Sequence, residues 1–160
     1  MPHQNKAPTP FRQAYSAPEE LTMPNPHLVE TLFDRPIAFH RVFAKLTGSV
    51  NAGLMLSQSL FWSKRTKDEA GWFYKSQAEW EDEIVLTRRE QDTARMILRK
   101  TRYDTDRKPL PAFWFEERRG IPARLYYRVD FDALLLHLQT YHATDAQKRQ
   151  TEHDVQPDLT

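Results

Sequence analysis

The sequence predicts a mostly helical α+β domain carrying one small β-hairpin, and three observations lead there. Ser76–Arg99, SQAEWEDEIVLTRREQDTARMILR, holds two helix-start signals eleven residues apart. Ser76 with Glu79 and Thr87 with Glu90 each fit the capping box, in which a hydroxyl caps a backbone N–H and a glutamate reaches back. Apolar residues recur at helical spacing before and after this pair. From Arg124 to Val129, Arg124, Tyr126 and Arg128 alternate with Leu125, Tyr127 and Val129, the period-two pattern of a half-buried strand.

Residues 1–27 contain Pro2, Pro8, Pro10, Pro18, Pro24 and Pro26 among polar residues. Proline removes amide donors and restricts its neighbours, so a flexible arm is expected there. Residues 28–142 form the expected domain. Within it, Asp34 is a candidate cap for a helix with Pro36 in its first turn. Phe39, Val42, Phe43 and Leu46 supply the stripe of that helix, and Gly48 ends it. Ser49 starts a second helix through about Ser63, apolar enough to be the most buried one. Trp72–Lys75 is aromatic, follows Gly71 and precedes the Ser76 cap, which suits a short strand.

Trp80 and Ile84 should face the core from the first capped helix. In the second, at about 100° per residue, Glu90, Ala94, Ile97, Leu98 and Thr101 share one side. Arg88, Asp92, Arg95 and Arg99 fall opposite, in a narrow arc. Such a column suits a recognition helix, because arginine pairs with the guanine edge or with phosphate. It equally suits a solvated face with short-range Arg–Asp pairs, and the column alone does not separate the two. Ala112–Arg118 predicts a strand and Arg119–Pro122 a turn into Ala123–Val129. A helix-turn-helix followed by a hairpin is a winged helix-turn-helix, and that order is more specific than its parts. After the hairpin, Asp130 caps a helix bearing Phe131, Leu134, Leu135 and Leu138, a stripe that closes the core or pairs with a copy of itself. Residues 143–160 are polar and are expected to form a disordered tail.

Charge supports the same site. The 160-residue chain has a net charge of only +1. Yet Ile84–Arg128 holds 12 basic residues against 6 acids, a local field that attracts phosphate. The candidate DNA-contacting residues are Arg88, Arg89, Gln91, Arg95 and Arg99 on the helix, with Arg118, Arg119 and Arg124 on the hairpin. No enzyme, cofactor or metal is expected. His40, His137 and His142 lack metal-ligand spacing, Asp104 and Asp106 lack the further ligands of a calcium loop, and four glycines supply no phosphate loop. With no cysteine and no apolar run near the roughly 20 residues of a membrane helix, a cytoplasmic location and no membrane partner are expected.

The runs Leu60-Phe61-Trp62-Ser63-Lys64-Arg65-Thr66, Gly71-Trp72-Phe73-Tyr74-Lys75, Glu79-Trp80, Leu86-Thr87-Arg88-Arg89-Glu90-Gln91, Ala94-Arg95 and Gly120–Val129 resemble a known family. They are similar to the winged-helix domain of replication initiator or replisome-organiser-like proteins of phages, plasmids and mobile elements, over roughly residues 36–138. The resemblance implies double-stranded DNA as partner and nominates Arg88, Arg89, Arg95 and Arg99 in the helix, with Arg119 and Arg124 in the wing. It implies a role in replication initiation or its control, with replication proteins or a second copy of the chain as further partners. Where such domains often carry glycine before the Leu-Thr pair, this chain has Val85, and residues 104–111 look inserted. A transcriptional regulator of the same fold, or a winged-helix protein adaptor presenting Trp62, Trp72 and Trp114, stays open.

Overall fold

The computed structural model describes residues 36–154 together with Glu30 and Phe33. The chain divides into two compact units, Met1–Pro36 and Ile37–Thr160, and every helix and strand named below lies in the second. The expected arm at 1–27 and the Asp34 cap fall outside the described residues. The elements run α1 Arg41–Thr47, α2 Val50–Arg65, β1 Phe73–Tyr74, α3 Gln77–Ile84, α4 Arg88–Leu98, β2 Trp114–Arg119, β3 Arg124–Val129 and α5 Phe131–Asp154. The class is α+β, mostly helical, with one three-stranded antiparallel sheet in the order β1-β3-β2.

The first helix starts later than its sequence pattern suggests. His40 is its N-cap, with extended backbone and no side-chain cap bond. The preceding backbone is held by α2 instead: Ala38 O accepts from Gln58 Nε2 at 2.7 Å, and the His40 N–H donates to Ser57 Oγ at 3.0 Å. Phe39 consequently stays 40% exposed, and Phe43 becomes the buried residue of α1. Gly48 closes α1 in the left-handed conformation that glycine adopts without strain, and Ser49 Oγ then caps α2. The two helices pack backbone to backbone, since a Cβ on Gly53 would lie 2.5 Å from Ala44 N. Helix α2 buries residues on nearly every side, from Ala52 and Met55 to Ser59 and Ser63. Ser63 Oγ accepts the Val129 N–H at 3.2 Å, joining α2 to β3.

The sheet alternates as its strands predict. Phe73 pairs with Tyr127 and Tyr74 with Tyr126, while β2 pairs with β3 from Trp114↔Val129 to Arg119↔Arg124. Phe73, Trp114, Tyr127 and Val129 are buried, and Trp80 of α3 meets Phe73 and Tyr127, with ring centroids 6.2 and 5.7 Å away. Lys75 lies in this region with its Nζ 4.4 Å from the Trp62 ring and 4.8 Å from the Trp80 ring, paired with Glu83. Burial lowers its pKa to about 8 against the opposing pull of Glu79 and Asp82.

Both capping boxes form. Ser76 N–H donates to Glu79 Oε2 at 2.7 Å and Thr87 N–H to Glu90 Oε2 at 2.8 Å, with the reciprocal hydroxyl bonds in place. Between the helices, Val85 caps α3 with φ 56° and ψ 31°. The left-handed turn that favours glycine is thus made by a β-branched residue, which is costly at positive φ. Val85 is 82% exposed, so its side chain contributes little packing in return. Val85→Gly is therefore expected to raise stability by about 0.5–1 kcal/mol, read as a higher denaturant midpoint at unchanged slope. A lower midpoint would show that the valine side chain stabilises the turn.

The long connection from α4 to β2 is organised by Asp104, whose Oδ1 accepts the N–H groups of Asp106 and Lys108. Among the described residues no cluster of three metal-ligating side chains occurs. The C-terminal end differs from its expectation: α5 continues through Asp154, across residues 143–154 assigned to the tail. Asp130 Oδ1 caps it by accepting the Ala133 N–H. Neither glycine nor proline interrupts residues 131–154, and the polar stretch is rich in helix formers. Asp145 pairs with Arg149 at 2.7 Å. The buried face of α5 is Ala133, Leu134 and His137, with Leu138 half-buried, while Phe131 and Leu135 of the expected stripe stay exposed. No described helix is long and apolar enough to cross a membrane.

Candidate nucleic-acid interface

Helix α4 sets its faces by what it buries. Gln91, Ala94 and Leu98 point into the core, and α4 packs against α2. The opposite, exposed side carries Arg88, Arg89, Asp92, Thr93, Met96, Arg99 and Lys100. Its centre is thus rotated from the expected arginine column by about 70°, estimated at 100° per residue. Arg89 and Met96 lie near the middle, and Met96 is 53% exposed.

Two candidates are consequently engaged inside the protein. Gln91 is only 2% exposed, and its Nε2 donates to Leu86 O at 2.7 Å and Gln77 O at 3.0 Å. It thereby ties the α3–α4 turn and the start of α3 to α4, with its own buried amide donors satisfied. Arg95 is the second. Its Nε and Nη2 donate to Glu116 Oε1 and Oε2 at 3.0 and 2.7 Å, and its Nη1 to Asp92 at 3.1 Å. The side chains of Arg95 and Glu116 are 13% and 9% exposed. This two-pronged bond ties α4 to β2.

The electrostatics follow from that geometry. Burial pushes the Glu116 carboxyl up, but hydrogen bonds from Arg95 and the Trp114 indole, with the nearby Arg95 and Arg99 charges, hold it below the ordinary value. The Glu116 hydrogen bond in turn raises Arg95. Arg99 contributes from 3.8 Å while remaining 53% exposed.

Arg88, Arg89 and Lys100 are exposed, and no carboxylate among the described residues forms an ion pair with them. The hairpin arginines separate by strand parity. Arg118 shares the sheet face of Trp114 and Glu116, the face bonded to α4, and it is exposed. Arg119 and Arg124 lie on the other face, over the rings of Trp72 and Tyr74 respectively. Lys100 and Met96 were absent from the sequence candidates. Lys100 follows the last arginine of the column and falls outside its narrow arc, and a methionine in an amphipathic helix is ordinarily a core residue. Of the three tryptophans considered for a partner surface, Trp114 is buried, while Trp62 and Trp72 are half-buried.

No protein-family model matches the chain, and no curated protein or solved structure matches it significantly.

Proposed function

We propose that this chain is a winged-helix protein that binds double-stranded DNA through α4 and the β2–β3 hairpin. The observation that carries the reading is a group of exposed cations on two bonded elements. Arg88, Arg89 and Arg99, with Lys100 just past its end, lie on the outward side of α4, and Arg118 is exposed on the hairpin face that bears Glu116. The Arg95–Glu116 bond fixes the two elements relative to each other. In this reading α3 and α4 are the helix-turn-helix, α4 enters the major groove, and the hairpin is the wing on the adjacent backbone. The element order α2, β1, α3, α4, β2, β3 and the sheet order β1-β3-β2 support it. Preformed donors on rigid elements can meet phosphates without a large ordering cost. The resemblance described above supplies the setting, replication initiation or its control in a mobile genetic element.

Fluorescence anisotropy with a random-sequence duplex across a salt series tests the contact. Four to five phosphate contacts give a slope of log K against log salt of about −4. Absence of binding at about 50 mM salt, where phosphate contacts are strong, would overturn the proposal and leave this surface to a protein partner.

A further inference from the structure

The second face of the sheet presents a different chemistry. Strand parity places Trp72 and Tyr74 beside Arg128 and Tyr126 of β3, with Phe115 and Arg119 beyond. Rings and guanidinium groups interleave there. Arg119 lies 4.7 Å from the Trp72 centroid and 5.0 Å from that of Tyr126, Arg124 lies 5.3 Å from Tyr74, and Arg128 lies 4.5 Å from Phe115. Tyr74 and Tyr126 are themselves 5.7 Å apart and tilted by 46°. Against this face opens a cleft of about 390 Å³, lined among others by Arg65, Trp72, Tyr74, Arg119 and Tyr126. The volume lies within the range of small-ligand sites, and suits an unstacked nucleotide.

The cleft lining holds two guanidinium groups, Arg65 and Arg119, against one carboxylate, Asp68, which accepts the Trp72 N–H at 3.0 Å. Beside it Glu117 pairs with Arg119 at 2.7 Å, while Arg124 and Arg128 add positive charge on the same sheet face. Arg65 and Arg124 form no ion pair with a described carboxylate. Arg65 is held 3.7 Å over the Phe61 ring, at the rim of the same cleft.

We propose that this face binds single-stranded DNA, with bases stacking on Tyr74, Tyr126 and Trp72 and phosphates meeting Arg65, Arg119 and Arg124. Half-exposed rings flanked by arginines are what sequence-tolerant single-strand binding uses, because every base offers a π-face. DNA is the expected occupant because the face is the reverse side of the hairpin proposed to lie on duplex DNA. A strand separated beside that duplex would reach it directly. This placement rests on the duplex-binding reading, whereas the stacking chemistry does not.

The test measures binding of a fluorescent dT12 oligomer and of a duplex to the full chain. The double variant Tyr74→Ala/Tyr126→Ala is expected to weaken dT12 binding at least about tenfold and leave duplex affinity unchanged. Tyr74→Phe/Tyr126→Phe, which keeps both rings, should stay within about twofold of the parent. Circular dichroism melts establish that each variant folds, and Tyr74→Ala alone, at an exposed ring, serves if the double variant does not. The proposal fails if dT12 does not bind at low salt, or if the alanine variants bind it as the parent does. Tighter binding of rU12 than of dT12 would overturn the DNA assignment, and loss of self-association in the alanine variant without any oligonucleotide binding would assign the face to a second copy. Duplex binding that is absent while dT12 binding persists would overturn only the duplex reading.

Discussion

Arg95→Glu is expected to destabilise the domain by about 3–5 kcal/mol, the cost of leaving a buried charge without its partner. For a domain of this size that corresponds to a melting temperature lower by roughly 10–20 °C. Arg95 donates both prongs of its guanidinium to Glu116 and a third bond to Asp92. Reversal would place three carboxylates around one largely buried position, with only Arg99, at 3.8 Å, to neutralise them. The exchange Arg95→Glu/Glu116→Arg should recover a substantial part of the loss by restoring opposite charges. The pH dependence should change in parallel. The folded-state pKa of Glu116 is depressed, so its contribution is present above the unfolded carboxylate value and is lost as pH falls through the folded one. That part of the acid limb should vanish in Arg95→Glu, where the depressing partner is gone. A melting temperature within about 3 °C of the parent, under the same scaling, would show that the α4–β2 bond contributes little to the fold.

The elements legible in the sequence are those with local signals. Ser76/Glu79 and Thr87/Glu90 announce two helix starts and form both boxes, and the Arg124–Val129 alternation gives the hairpin its faces. What escaped was set by distant partners. The start of α1 is displaced by Ser57 and Gln58, some seventeen to twenty residues away. The end of α5 escaped because polar composition resembles a tail, although helix propensity and the absence of glycine and proline favour continuation. The rotation of α4 has a more specific cause. The apolar spacing of Ala94, Ile97 and Leu98 centres the core side near Glu90, and a buried glutamine adds no apolar signal to shift it. In the fold Gln91 is buried, donating to Leu86 O and Gln77 O, and with that side of α4 inward Arg95 meets Glu116. Likewise, Arg119 and Arg124 follow Arg118 closely in sequence yet lie on the opposite sheet face, since adjacent strand positions alternate.

Arg89→Glu/Arg99→Glu is accordingly the charge reversal expected to abolish duplex binding while leaving the fold intact. Both side chains are exposed, at opposite ends of the outward side of α4. Neither occupies the position that Arg95 holds against Glu116, although Arg99 lends that carboxylate a weaker, longer contact. Replacing two cations by two anions removes two phosphate contacts and adds repulsion at both places. Two groups losing about 1–2 kcal/mol each, with repulsion added, amount to a loss of affinity of about 100-fold or more. The salt slope should also become shallower by about 1.8, since each contact contributes about 0.9. The melting temperature should stay within about 3 °C, as expected of exposed substitutions within about 0.5 kcal/mol. Because Arg95→Glu attacks the scaffold and this pair attacks the surface, the two variants separate loss of folding from loss of contact. Unchanged duplex affinity with an intact fold would mean that the outward side of α4 does not meet DNA, and would remove the helix from the interface even if the hairpin still bound.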